Sequence, residues 1–200
     1  MKNDREYRSM ELRAVPLTEQ GDKAYIVEGY ASTFEPYTLL TVDGVDYKER
    51  IEPTAFNGAD MSDVVFRIDH EGKVYARSSA GTLEVYADEH GLKNRADLSR
   101  TAAGRELFEE IEAGNYNRMS FAFRVADDTY DENTHTRIIK QIGKVYDVSP
   151  VSFPANPGTE LGVATRSYFD GVIEMERTER SERERRERQK QIIRILSEVV

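Results

Sequence analysis

Cysteine is absent from the 200 residues. Disulfides, thiolate metal sites and cysteine nucleophiles are therefore excluded. Tryptophan is absent too, so aromatic packing falls to Tyr and Phe. Histidine occurs only as His70, His90 and His135, far apart and without HExxH spacing. A histidine-rich metal site is not supported, and no metal or other cofactor is expected. Long apolar runs are missing: none approaches the roughly 20 residues that cross a bilayer. The start, Met1-Lys2-Asn3-Asp4-Arg5-Glu6, lacks the apolar stretch of a secretory signal. A cytoplasmic protein without a membrane partner is expected. Excess positive charge is missing as well. Lys and Arg number 28 against 37 Asp and Glu, a net charge of -9. That argues against a nucleic-acid partner, because phosphate neutralisation needs clustered Lys and Arg.

What is present divides at about residue 166. Before it, short β patterns dominate. Residues 8–17 alternate as a strand, with Met10, Leu12 and Ala14 on one face and Arg8, Glu11 and Arg13 mostly off it. Gln20-Gly21-Asp22 supplies a turn, and Tyr25–Ala31 a second strand. Asp43-Gly44 is a turn signal. Val64–Ile68 reads as a buried strand that delivers Asp69-His70 to its C-terminal end. Residues 82–86 and 92–96 form a hairpin around Asp88-Glu89-His90-Gly91. Thr101 or Ser99 caps a helix over about 102–113, with Leu107, Phe108 and Ile111 on its apolar face and Gly114 stopping it. Strands follow at 119–125, 137–142 and 144–149, and Pro150, Pro154 and Pro157 end regular pairing. Six to eight strands with few helices predict a mainly β (α+β) domain, a mostly local meander and a small β-barrel. After residue 166, EMERTERSERERRERQK at 174–190 is almost entirely Glu and Arg. It predicts a charged helix with an apolar end at Ile192, Ile193, Ile195 and Leu196. The expected division is a domain over 1–166 and a charged helical tail over 167–200.

Three side chains could carry chemistry. His70 follows an apolar strand, where scaffolds present reactive groups; its plainer reading is a surface histidine beside a carboxylate. Ser120, in Arg118-Met119-Ser120-Phe121-Ala122-Phe123, shares a face with Ala122, opposite Met119, Phe121 and Phe123. It is either a core serine or a nucleophile facing a cleft. Its context is not GxSxG, so an α/β-hydrolase is not supported. Asp147 is the acid of the strand 144–149, suited either to orienting an imidazole or to ending a strand at the surface. A serine hydroxyl needs a base to take its proton, and histidine, with an ordinary pKa of roughly 6.5, is the usual one. His90 and His135 read as solvated loop residues.

The same stretches, taken together, resemble the prohead proteases of tailed phages. The resemblance rests on Arg8-Ser9-Met10-Glu11, Glu28–Phe34, Glu49–Phe56, Asp69-His70, Ala80–Leu83, Asp88–Leu92, Arg118–Phe123 and Asp147–Pro157, in that order. Each is weak alone, and their ordered presence over residues 8–166 is specific. It implies a herpesvirus-protease-like fold, a small β-barrel with flanking helices, and a Ser–His dyad with a third member. His70 and Ser120 fall on the two central positions. Asp147 is the third, with Asp88 or Glu89 as fallback, and Ala155 and Asn156 lie where oxyanion donors are expected. The implied role is a serine endopeptidase of head maturation, acting inside the procapsid in the host cytoplasm. Its implied partners are the major capsid protein and scaffold as substrates, the protease itself, and a second copy as a homodimer. The Glu/Arg tail would then associate with a helical scaffold, or else be a solvated appendage. The alternative is a non-enzymatic capsid-assembly or scaffold protein, with Ser120 in the core.

Overall fold

The protein is described from a computed structural model, which describes residues 5–15, 24–152 and 163–198. It divides into two units, Met1–Gly162 and Val163–Val200. The first holds ten strands among its described residues: β1 (Glu6–Val15), β2 (Ile26–Thr33), β3 (Tyr37–Val42), β4 (Val45–Ile51), β5 (Val65–Ile68), β6 (Glu71–Arg77), β7 (Leu83–Ala87), β8 (Gly91–Asp97), β9 (Arg118–Asp131) and β10 (Thr136–Val151). Helix α1 (Ala102–Glu112) lies between β8 and β9. Thr101 caps it, Oγ1 accepting from Gly104 N–H at 2.9 Å, and Leu107, Phe108 and Ile111 are buried on one face. Gly114, at φ 87°, follows its end, its N–H donating to the Ile111 carbonyl.

The strand order is β3-β4-β10-β9-β1-β2-β8-β7, and β5, which carries β6, pairs with β10. The chain is mainly β with helices, as expected. Closure into a barrel is not seen among the described residues: the path ends at β3 and β7, each paired on one side. The expected local meander is also incomplete. β10 pairs in parallel with β4 and with β5, so segments about 80 residues apart meet on one strand.

β9 and β10 form one long antiparallel hairpin in place of several shorter strands. Register irregularities between Ile139 and Asp147 absorb Gly143 without ending the strand. Pro150 does not end it either. It pairs with Met119 near the end of β10, and its carbonyl accepts from Asp69 N–H at 3.0 Å. Proline lacks a donor, but a carbonyl suffices there. The core fills one face of the sheet with Phe66, Phe108, Phe121, Phe123, Ile139, Ile142 and Val148. Phe121 and Phe123 stack at 4.4 Å.

A second buried set was not evident in the sequence. Arg8, expected mostly off the buried face, is enclosed. Its guanidinium binds Glu49 through Nε and Nη2, both at 2.5 Å, and Glu6 at 2.9 Å. Arg137 grips Glu6 with both terminal nitrogens, at 2.7 and 3.0 Å, and Asp128 with Nε at 2.5 Å. Tyr37 donates its hydroxyl to Glu49. Burial disfavours charge on Arg8, but Glu49, Tyr37 and Glu6 more than offset it and hold its pKa well above the ordinary value. Burial and the Glu49 carboxylate push the Tyr37 phenol well up.

Helix α2 (Val163–Glu198) makes up the second unit. Its Glu/Arg stretch is exposed, with ion pairs Glu182–Arg186 at 3.4 Å and Glu187–Lys190 at 2.9 Å at helical spacing. Ile192, Ile193 and Ile195 are exposed beyond it. Among the described residues no helix is long and apolar enough to cross a membrane.

Candidate active site

Ser120 is placed by the alternation of β9. Met119, Phe121 and Phe123 enter the core, which turns Ser120 and Ala122 to the other face. In the β9–β10 register Ser149 lies opposite Ser120, and Asp147 opposite Ala122. Opposed residues share a face, so Asp147 and Ser149 flank Ser120.

Asp147 reaches that face because of a bulge. Val145 opposes Phe123 and Asp147 opposes Ala122, so Tyr146 is an extra residue in β10. Without it, Asp147 would share the core face with Val145, two positions away. Val145 and Val148 both join the hydrophobic core at a spacing of three, an odd spacing that would put them on opposite faces of an unbroken strand. The bulge re-aims the carboxylate.

His70 arrives from β5, whose Val65 and Phe66 pair with Asp147 and Val148. The residue does not simply end that strand. Asp69-His70 is a two-residue turn between the paired Ile68 and Glu71, with φ of 47° and 61°. The turn swings the imidazole over Ser120 and Asp147. Its Nε2 lies 2.7 Å from Ser120 Oγ, and its Nδ1 lies 2.6 Å from Asp147 Oδ1. With Asp147 as an acceptor-only carboxylate and a neutral imidazole, Nδ1 donates to Asp147 and Nε2 accepts from the serine hydroxyl. Ser120 and Asp147 are only 3% and 2% exposed, and the His70 side chain is 17% exposed. A continuous relay of hydroxyl, imidazole and carboxylate results.

Ser149 was missed in the sequence. It is fully buried and donates Oγ–H to Asp147 Oδ1 at 2.7 Å. The same oxygen thus takes two hydrogen bonds, which fix the carboxylate. The signal was available as a second hydroxyl two positions beyond Asp147, on its face of the strand.

The remaining candidates lie elsewhere. Asp88 accepts from the Tyr30 hydroxyl at 2.7 Å and from His90 and Gly91 N–H groups, within the β7–β8 turn. Glu89 is exposed in the same turn, 3.5 Å from His90. His90 is exposed, as expected. His135 is not solvated as expected: it is partly buried, with Tyr47 at 5.4 Å and the Tyr130 hydroxyl 3.3 Å from Nδ1. Ala155 and Asn156, like the Gln20-Gly21-Asp22 turn, lie outside the described residues. Among the described residues no cluster of His, Asp and Glu could hold a metal ion.

The prohead protease of Enterobacteria phage HK97 is 30% identical over 154 residues, which cover 75% of this chain and 64% of that protein. The chain thus spans less than two thirds of the length of that relative. Among solved structures, the bacteriophage T4 capsid assembly protease is similar with a TM-score of 0.40 and 15% identity, over 74% of this chain and 99% of that one. The sequence pattern described as caudovirus prohead serine protease matches residues 9–171, most of the chain. The chain belongs to the caudovirus prohead serine protease family.

Proposed function

We propose that the chain is a serine endopeptidase of phage head maturation, with Ser120 as nucleophile, His70 as general base and Asp147 as the acid that orients it. One observation carries the reading: the relay from Ser120 Oγ through both His70 nitrogens to Asp147, with contacts of 2.7 and 2.6 Å. Both fall within the hydrogen-bond reach that proton transfer requires.

The chemistry follows from that relay. Ser120 Oγ attacks the scissile carbonyl carbon as its proton passes to His70 Nε2. Asp147 stabilises the imidazolium without taking the proton. The C–N bond breaks when His70 returns that proton to the leaving amine, which leaves an acyl-serine. Water, deprotonated by the same imidazole, then releases the acid and restores Ser120. Two preorganised bonds on Asp147 Oδ1 keep the carboxylate from rotating away during these transfers.

The substrates in this reading are scaffold, or the scaffolding region of the major capsid protein, and the protease itself. The site of action is the interior of the procapsid, residues 1–166 are the catalytic part, residues 167–200 are a helical tail, and the working form is a homodimer. Family membership supports the substrates and place; the dimer and the division of the chain rest on the resemblance and the change in composition.

The test is co-expression with the cognate capsid protein, followed by mapping of any cleavage. Wild type should cleave, and Ser120→Ala should lower the rate by at least about 10⁴-fold. Cleavage that persists in Ser120→Ala removes Ser120 from its role. Absence of cleavage by wild type favours a structural protein of capsid assembly.

A further inference from the structure

Two hairpins in this fold turn through two residues with left-handed backbone at both. Between Val42 and Val45 the pair is Asp43-Gly44, with φ of 53° and 79°. Between Ile68 and Glu71 it is Asp69-His70, with φ of 47° and 61°. Such turns favour Asp or Asn first and Gly second, because a Cβ at the second position crowds the backbone. His70 occupies the glycine place. Its backbone is strained there, and strain persists only where surrounding contacts over-determine it.

Those contacts are present. Asp69 N–H donates to the Pro150 carbonyl at 3.0 Å. The Asp69 carboxylate accepts from Ser152 N–H at 2.9 Å on one oxygen and from Ser152 Oγ–H at 2.6 Å on the other. Arg67 Nη1 donates to the His70 carbonyl at 3.0 Å. Pro150 lies in β10, the strand that carries Asp147, and Ser152 directly follows its end. The β5–β10 pairing itself is short, with Val65 and Phe66 as its paired residues.

We infer that Asp69 is a positioning residue: its carboxylate clasps Ser152 and so holds the strained His70 turn against the end of β10, keeping the imidazole in register with both Ser120 and Asp147. The inference rests on His70 as the general base. It makes the Asp-His pair a working unit, in which the first residue supplies the fastening and the second the chemistry.

Substitutions at Asp69 separate the clasp from the turn. Asp69→Gly keeps the left-handed backbone at no steric cost but removes the carboxylate. Asp69→Asn keeps both the backbone preference and a side chain that can bond Ser152. Asp43→Gly is the matched control, the same change in the same kind of turn on the β3–β4 hairpin. Kinetics would use a peptide spanning the cleavage site mapped by co-expression with the capsid protein.

Asp69→Gly should lower kcat roughly 10- to 100-fold with KM nearly unchanged, as displacement of a catalytic group does. Asp69→Asn should restore most of the rate, and Asp43→Gly should keep it. The downfield proton signal of His70 Nδ1–H, identified by its loss in His70→Ala, gives a readout independent of substrate. It should be sharp in wild type and Asp43→Gly and broadened in Asp69→Gly. A wild-type kcat in Asp69→Gly, an equal loss in Asp43→Gly, or an unchanged Nδ1 signal would each overturn the inference. Wild type cleaving and Ser120→Ala not, with Asp69→Gly at full rate, would sink the clasp alone. Failure of wild type to cleave would remove the protease reading and the clasp with it.

Discussion

Two buried polar clusters are strung along β10, and they differ in kind. Near its start, Arg137 joins Glu6, Arg8 and Glu49, where cation and carboxylate alternate and satisfy one another. Near its end, Asp147 and Ser149 meet His70 and Ser120, and the donations converge on the Asp147 carboxylate, from the Ser120 hydroxyl through the imidazole and from the Ser149 hydroxyl directly. The first cluster is closed, and a closed set of charges resists change. The second ends on an atom whose proton can leave while the oxygen forms a new bond. Burial and charge alone therefore do not mark a site of chemistry. The direction of the relay does.

Substitutions of similar size should separate the two. Asp147→Asn should have the largest effect, about 10⁴-fold on kcat/KM, because an amide at that position favours the wrong tautomer of His70. Its thermal midpoint should change little. Activity within tenfold of wild type would mean that another group orients His70. Glu49→Gln should do the reverse. Removing one charge from a closed buried network costs about 3–5 kcal/mol, readable by urea denaturation, while the folded fraction keeps its kcat/KM. A loss of activity per folded molecule would show the clusters to be coupled.

Ser149→Ala comes next. A hydrogen bond to a charged group contributes about 1.5–3 kcal/mol, so kcat/KM should fall roughly tenfold to a hundredfold by steady-state kinetics. An unchanged rate would leave Asp147 adequately held by His70 alone. The smallest effect belongs to a half-exposed pair between the clusters. Lys144, also on β10, binds Asp60 at 2.6 Å, and that bond, with Ser62, holds the Asp60 carboxyl down at about 2. The folded value lies below the unfolded one, near 3.9. The pair therefore stabilises fully above about pH 4, and its contribution is lost as pH falls through about 2. Asp60→Asn should melt slightly below wild type at neutral pH, and the gap should close in acid. A gap that persists below both values would assign it to something other than ionisation.

Much of the cluster around Ser120 was legible because short-range rules place it. Alternation put Ser120 off the core face, and Thr101 and Gly114 bounded α1. The relative placement of His70 was not legible, since no local pattern announces a parallel pairing between residues 65 and 147. Nor was the turn, because histidine stands where glycine is the usual signal. Asp147 reached Ser120 through a bulge that the spacing of Val145 and Val148 encodes only once both are known to be buried. The ion network was hidden for the opposite reason. Charged residues in strands read as solvent-facing, and Arg8 and Glu49 are enclosed only because β1, β4 and β10 assemble around them.

The separation of the three side chains along the chain has a consequence in time. Ser120 and Asp147 sit on one hairpin, 27 residues apart, and its strands can zip from the turn near residue 133. His70 lies 50 and 77 positions away from them. Bringing it in requires closing a long loop for the sake of a short parallel pairing, the kind of contact that forms late. In the proposed mechanism, order of folding thus acts as a delay on chemistry. The hydroxyl and its acid are in place first, and the base completes the set only when the distant hairpin docks.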